Sequence, residues 1–423
     1  MVKEMKTIFV TSNLRFPPSS GPFLRTESVI KALSKYSEVI IYSLNNRDSI
    51  GGNPAIEFYK KYTGKIFFAP SAGKSFSVLL KRIINKISRI IFNKRIYNIG
   101  GRENDIRFLI KTARKSKANA IWLGHGGTLY DYLKMIKEKS GFVVVVDTDS
   151  VWSRFILRGL PYARDEKMKN EIMVAGKLKE EEERWGTEIA DMTTAVSGFD
   201  AEYFKKFVEN KEKIKILSNV LDLKNYEVDI AKPLGFKNPS IFFAGSFGLD
   251  SPMNDAVKWF VEHIFPVVKD SVPDVHFYIL GSNSDTTLEY KNEPNISILG
   301  RVESVLPYLC NADAVIVPLR FESGTRFKIL EAGACRRPVV STTLGAEGIP
   351  VTNNHDIIIA DDEKNFAKGI IKVIKDKHYA EMIGNNLYKL IEENFTIKNL
   401  ENEISMIVKE LNKENNKNKE YNL

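Results

Sequence analysis

The sequence predicts an α/β protein of two lobes, each a doubly wound parallel sheet with helices on both faces. Three observations predict it. The chain has 423 residues, too many for one ordinary core and suited to two domains of roughly 200 residues. Short β-branched runs alternate with helix-period segments along its length, the pattern of βαβ units. Runs such as Val143 to Val146 are apolar on both faces, and only a sheet covered on both sides can bury them.

In the first half, strands are expected at Thr7 to Thr11, Glu38 to Ser43, Lys65 to Ala69, Ala120 to Leu123, Phe142 to Val146 and Thr193 to Ser197. The second half repeats the plan at Ser240 to Ala244, Val275 to Leu280, Ile296 to Leu299, Ala314 to Pro318, Val339 to Ser341 and Asp356 to Ala360. Turn chemistry at Asn219, Asp222, Pro233, Gly235 and Pro239 separates the two series. The expected domains are therefore 1–222 and 223–396. Residues 397–423 would form a last helix, ending near Leu411 and able to cross back to the first domain, and then a polar tail too poor in apolar residues to order itself.

With 43% hydrophobic and 27% charged residues, the composition is that of a soluble globular protein. No run approaches the roughly 20 apolar residues of a membrane-spanning helix. The run Ile8 to Val10 is too short for a secretory signal, so a cytoplasmic location is expected. Cys310 and Cys335 read as small core residues in a reducing compartment. The five histidines show no metal-binding spacing, and neither a metal nor a cofactor is expected.

The net charge of +9 permits an anionic partner. Much of the excess falls between Lys74 and Arg102, where eight basic residues and no acid interleave with isoleucines and leucines at helical spacing. This reads as a basic amphipathic helix, either a solvated face or a peripheral dock on an anionic membrane. No nucleic-acid motif accompanies it, so nucleic acid is not an expected partner.

In open α/β sheets, ligands gather at the carboxyl ends of strands, where helix N-termini offer unpaired N–H groups. The loop Ser12 to Arg25 holds Gly21 but is neither a Walker sequence nor GxGxxG, so neither nucleotide hydrolysis nor nicotinamide binding is supported. His125 sits in the glycine-rich loop after Trp122 and Leu123, either capping the next turn or facing a substrate. Asp149 follows the strand ending at Val146, where a carboxylate can act as a base or a cap. In the second half, Gly245 and Ser246 open a strand–loop–helix of the phosphate-cradling kind. Ser323, Gly324 and Thr325 then turn into a helix carrying Arg326 and Lys328 in its first turn. Cations there oppose the helix dipole, and a bound polyanion would reverse that penalty. Glu331, further along, could chelate a vicinal diol such as a ribose.

On these residues, and on the block Glu331-Ala-Gly-Ala-Cys-Arg-Arg-Pro-Val-Val and Asn394-Phe-Thr396, the sequence resembles the family 4 glycosyltransferases of the GT-B fold over nearly its whole length. The resemblance implies two Rossmann-like domains facing a central cleft. It further implies retaining transfer from a nucleotide-diphosphate sugar to a sugar or lipid-linked acceptor without a metal. By the same resemblance Glu331 holds the donor ribose, with Gly245, Ser246, Ser323, Gly324 and Thr325 also on the donor. His125, Arg326 and Lys328 fall at the reacting groups, and Gly21 and Asp149 on the acceptor side. Two positions depart from the family pattern. Ser323, with Glu322 beside it, stands where the first glutamate of the family's pair belongs, and Ser246 and Ser251 stand where many members carry Arg and Lys. A nucleotide-sugar 2-epimerase and a two-lobed binding protein without turnover are the alternatives.

Overall fold

The computed structural model describes residues 5–18, 20–71, 100–226 and 230–420. The basic helix expected over 74–102 lies outside them, apart from the three residues that open the helix Gly100–Lys115. The chain divides into two compact units, neither continuous in sequence. The first comprises residues 1–150, 179–218 and 400–423, and the second residues 151–178 and 219–399.

The first unit is built on seven strands: β1 (Lys6–Thr11), β2 (Glu38–Ser43), β3 (Lys65–Phe68), β4 (Ala120–Gly124), β5 (Val143–Asp147), β6 (Met192–Ala195) and β7 (Ile214–Ile216). They lie in the order β3-β2-β1-β4-β5-β6-β7, and every pair is parallel. The valines of β5 are wholly buried. One face of the sheet, with Ile8, Val10, Ile121, Leu123, Val144 and Val146, packs on Ile106, Leu109, Leu133 and Ile136 of flanking helices. The edge strand β7 was not expected from the sequence, because Ile-Lys-Ile is too short to show a period.

The second unit has six strands: β8 (Ser240–Ala244), β9 (His276–Leu280), β10 (Ile296–Ile298), β11 (Ala314–Val317), β12 (Val339–Ser341) and β13 (Ile358–Ile359). Their order is β10-β9-β8-β11-β12-β13, again all parallel. Its core joins Phe243, Phe260, Phe277 and Phe366 to Ile316, Val340 and Ile370. In both sheets the strand order reverses once, between β1 and β4 and between β8 and β11, which are the switch points where α/β sheets bind ligands.

The last helix, Ile397–Glu420, runs past the expected end near Leu411. Its Glu and Lys are good helix formers, so the tail continues the helix. Glu403 ties this helix to the first unit by accepting from Ser218 N at 2.8 Å and Ser218 Oγ at 2.7 Å. No described helix is long and apolar enough to cross a membrane.

Candidate functional site

In the second unit the chain leaves β8 through Gly245, whose N–H bonds Leu280 O at 3.0 Å. Gly281 holds φ at +127°, and a Cβ there would fall 1.8 Å from the Gly245 carbonyl oxygen. Only glycine lets these two loops lie so close. Ser246 is exposed. Ser251 caps the helix Pro252–Trp259, its Oγ accepting from Asn254 N at 3.2 Å.

After β11, Arg320 forms a two-pronged ion pair with Asp255, at 2.9 and 2.5 Å, beneath the ring of Tyr162 at 4.6 Å. Arg158 grips Glu347 at 2.8 and 2.7 Å and the Glu322 carbonyl at 2.7 Å. These two arginines, which sequence reading did not single out, fix the chain where it enters the following loop. Within it, Gly324 turns through φ +83°, and Ser323, Thr325 and Arg326 are buried. The Glu322 carboxylate accepts from its neighbour's backbone, Ser323 N, at 3.2 Å.

Arg326 precedes the helix Phe327–Ala334 and is only 5% exposed, with Nη2 donating to Leu344 O at 3.0 Å. Lys328 extends to Met253 Sδ at 3.1 Å and lies 4.9 Å from the centre of the Phe243 ring. Its immediate contacts are soft and apolar. Burial therefore pushes its ammonium down to about 8, although Glu322 and Glu331 pull the other way. Glu331 is three residues on, on the same helix face. Its Oε1 accepts from Tyr226 Oη at 3.1 Å, and burial pushes its carboxyl up to about 7. Burial, and then the Glu331 charge, drives the Tyr226 phenol well above its usual range. A cation and a carboxylate, each short of compensating charge, thus share one turn at the carboxyl end of β11.

The first unit gathers a second group. β1, β4 and β5 are neighbours, with Phe9, Trp122 and Val145 in register. With strands about 4.8 Å apart, the loops after β1 and β5 are only about 10 Å from each other. His125 follows β4 in the left-handed region at φ 61°, and its ring makes no capping hydrogen bond. Instead Nε2 pairs with Asp149 Oδ2 at 3.2 Å, both side chains being largely enclosed. A Cβ on Gly126 would meet Val146 Cγ1 at 2.7 Å, so this glycine lets the His125 loop lie on β5. Lys179 Nζ holds the loop through Gly127 O at 2.5 Å.

Of the two aspartates at the carboxyl end of β5, Asp147 is fully employed. It accepts from Arg25 at 2.5 Å, Trp122 Nε1 at 3.2 Å and Thr194 Oγ1 at 2.9 Å. Asp149 keeps Oδ1 buried without a hydrogen-bond partner, as does Asn13 with its Nδ2. Asn13, on the loop after β1, gave no sequence signal. Gly21 opens the helix Gly21–Tyr36, whose flanking Ser20 supplies no side-chain cap. Among the described residues no three or more His, Cys, Asp or Glu gather as a metal would need.

Two parallel-sheet α/β domains with this topology define the GT-B class of fold. Residues 238–376 match the family model described as Glycosyl transferases group 1. The match takes in all six strands of the second sheet together with Gly245, Lys328 and Glu331. An uncharacterised 44.6 kDa protein from the cps region of Klebsiella pneumoniae is 25% identical over 170 residues, 38% of this chain and 44% of that protein. The alignment thus spans less than half the length of that relative.

Among solved structures, Anabaena HepE in complex with UDP and glucose is similar with a TM-score of 0.64 and 12% identity, over 96% of this chain and 100% of that one. Sucrose-phosphate synthase from Thermosynechococcus elongatus gives 0.69 and 13%, over 96% and 99%. A glycosyltransferase from Rickettsia africae gives 0.62 and 15%, over 96% and 99%. At such identities the likeness is one of fold.

Proposed function

We propose that this chain is a retaining glycosyltransferase of the family 4 type, moving a sugar from a nucleoside diphosphate to an acceptor hydroxyl. The carrying observation is the placement of Lys328 and Glu331 on one helix turn, inside the segment that matches the glycosyl transferases group 1 model. When the bond between sugar and diphosphate breaks, negative charge grows on the leaving oxygens. Preorganised positive groups there are usually the largest catalytic contribution. Lys328 supplies the nearest mobile charge, the N-terminal N–H groups of its helix add theirs, and Arg326 adds a fixed charge from behind the turn. In this reading the chain's own cations do the work a metal does elsewhere. The ionised Glu331 accepts from the two hydroxyls of the ribose.

On the acceptor side, Asn13 Nδ2 and Asp149 Oδ1 offer one donor and one acceptor to a hydroxyl-bearing ligand, and His125, oriented by Asp149, polarises the reacting hydroxyl. Proton removal falls to the departing phosphate on the same face, consistent with retention. The relative from a cps region supports a role in polysaccharide or glycolipid synthesis. HepE was solved with UDP, which makes uridine diphosphate sugars the first donors to try.

The test is a thermal-shift panel of nucleoside diphosphates and their sugars. A true donor at a hundred times its dissociation constant stabilises the folded state by about 2.7 kcal/mol. If no nucleotide shifts unfolding at millimolar concentration, the reading fails. Turnover of the donor with no acceptor present would point instead to an epimerase.

The same proposal includes an anionic membrane surface as partner for residues 74–102, on their eight basic residues and absence of acids. Each such residue near a membrane contributes about 1 kcal/mol. Co-sedimentation with anionic vesicles should fall with salt and with neutralisation of Lys81, Arg82, Lys86 and Arg89. Indifference to lipid charge would remove the membrane from the scheme.

A further inference from the structure

Cys310 and Cys335, twenty-five residues apart in sequence, are brought together by the second sheet. Cys310 ends the helix Leu306–Leu309 that leads into β11. Cys335 ends the helix Phe327–Ala334 that follows β11. Their sulfurs stand 3.3 Å apart and share a hydrogen bond, and both are free thiols. Cys310 is half-buried, whereas Cys335 is buried. The reading of both as small core residues leaves this contact out.

The pair sits against the Lys328–Glu331 turn. Cys335 N donates to Glu331 O at 3.1 Å. The phenol of Tyr226 bonds the Glu331 carboxylate at 3.1 Å. Arg337 closes the other side, Nε donating to Cys335 O at 3.1 Å and Nη1 to Ala312 O at 3.5 Å. Joining the sulfurs shortens their separation to about 2.05 Å. Bond formation fixes the side-chain geometry of Cys335 at the end of the helix that carries Glu331.

We propose that Cys310 and Cys335 form a reversible modification site for small-molecule disulfides, and that their oxidation weakens ligand binding at Glu331. Cys310 is the attacking group. The hydrogen bond with Cys335 holds its thiol below the usual range, with Arg337 assisting against the opposing effect of burial, which raises its thiolate share. It attacks one sulfur of a glutathione disulfide, the S–S bond breaks, and one glutathione thiolate leaves. The Cys335 sulfur, giving up its proton, attacks Cys310 in the mixed disulfide and expels the second glutathione. Two electrons pass from the protein to the reagent, and the two thiol protons end on the two glutathiones.

The effect on binding rests on the nucleotide-sugar reading above, but the chemistry of the pair does not. The whole chain is incubated in buffers of oxidised and reduced glutathione and followed by intact mass and thiol titration. Nucleotide affinity is then measured, in oxidised and reduced protein, with the nucleoside diphosphate that gave the largest thermal shift. Loss of two hydrogens and of both titratable thiols is expected, reversed by reductant, with affinity about 5-fold or more weaker in the oxidised form, the low end of coupling between sites. Cys310→Ser should keep the reduced protein's affinity and abolish its redox response, whereas Cys335→Ala should keep that affinity, form no internal disulfide and stop at the Cys310 glutathione adduct that the wild type resolves.

Wild-type protein that stays reduced, or stops at a stable glutathione adduct, overturns the proposal. A disulfide that leaves affinity unchanged overturns its second half. If no nucleotide binds in either state, the enzymatic reading fails, while the mass result still decides the thiol pair.

Discussion

Replacing Lys328 with methionine should lower kcat by roughly 10²- to 10³-fold, the loss seen when one preorganised transition-state donor is removed. The folded protein should persist. Methionine keeps the length of the side chain and suits contacts that are already a thioether and a phenyl ring. Because burial lowers the Lys328 ammonium to about 8, the folded state holds this proton less tightly than the unfolded chain. Stability associated with Lys328 is then present at high pH and lost as pH falls through about 8. At neutral pH the ammonium is a cost of folding, and the variant should unfold at the same temperature or higher. Kinetics with a nucleotide sugar, alongside thermal unfolding at pH 7 and pH 9, separate the two effects. Wild-type turnover in Lys328→Met would remove this residue from the reaction. Arg326 is the poorer probe, because its buried guanidinium also holds the Leu344 carbonyl, so its removal mixes a packing defect with lost charge.

What the sequence disclosed about this chain follows physical rules that act over short distances. Val143 to Val146 had to be a strand buried on both faces, and it is β5. The glycine and small-residue turns at Gly245 and Gly324 were equally legible, whereas Gly281, whose close approach to Gly245 excludes a side chain, gave no signal of its own. Pairings made by the sheet were not legible. Asp147 and Asp149 look alike in sequence, and partners distant in the chain, Arg25 more than a hundred residues earlier among them, show which of the two is structural. Asn13 gains its interest from an orphaned amide, which local pattern cannot reveal. Residues 151–178 cluster with the second unit, a placement decided by tertiary contacts such as Arg158 with Glu347 and the stacking of Tyr162 on Phe321.

Glu331→Gln should weaken nucleoside diphosphate binding by about 1.5 to 3 kcal/mol, roughly 10- to 100-fold, the worth of hydrogen bonds to an ionised group. The wild type should also prefer a ribonucleotide to its 2′-deoxy form by a comparable factor, and the variant should not. A pH profile gives an independent check. Burial raises the carboxyl to about 7, so in the free protein the diol-accepting carboxylate is mostly protonated below that pH. Wild-type affinity should therefore climb as pH rises through about 7, and decline again as Lys328 loses its proton above about 8. Glutamine cannot ionise, so Glu331→Gln should lose the lower limb and keep the upper one. The neutral amide still accepts from Tyr226 through its carbonyl, and the loss is then confined to charge rather than packing. Isothermal titration of nucleotide and deoxynucleotide between pH 6 and pH 9 measures all of this. Equal affinity for the two sugars in the wild type, or an unchanged lower limb in the variant, would show that the ribose is held elsewhere.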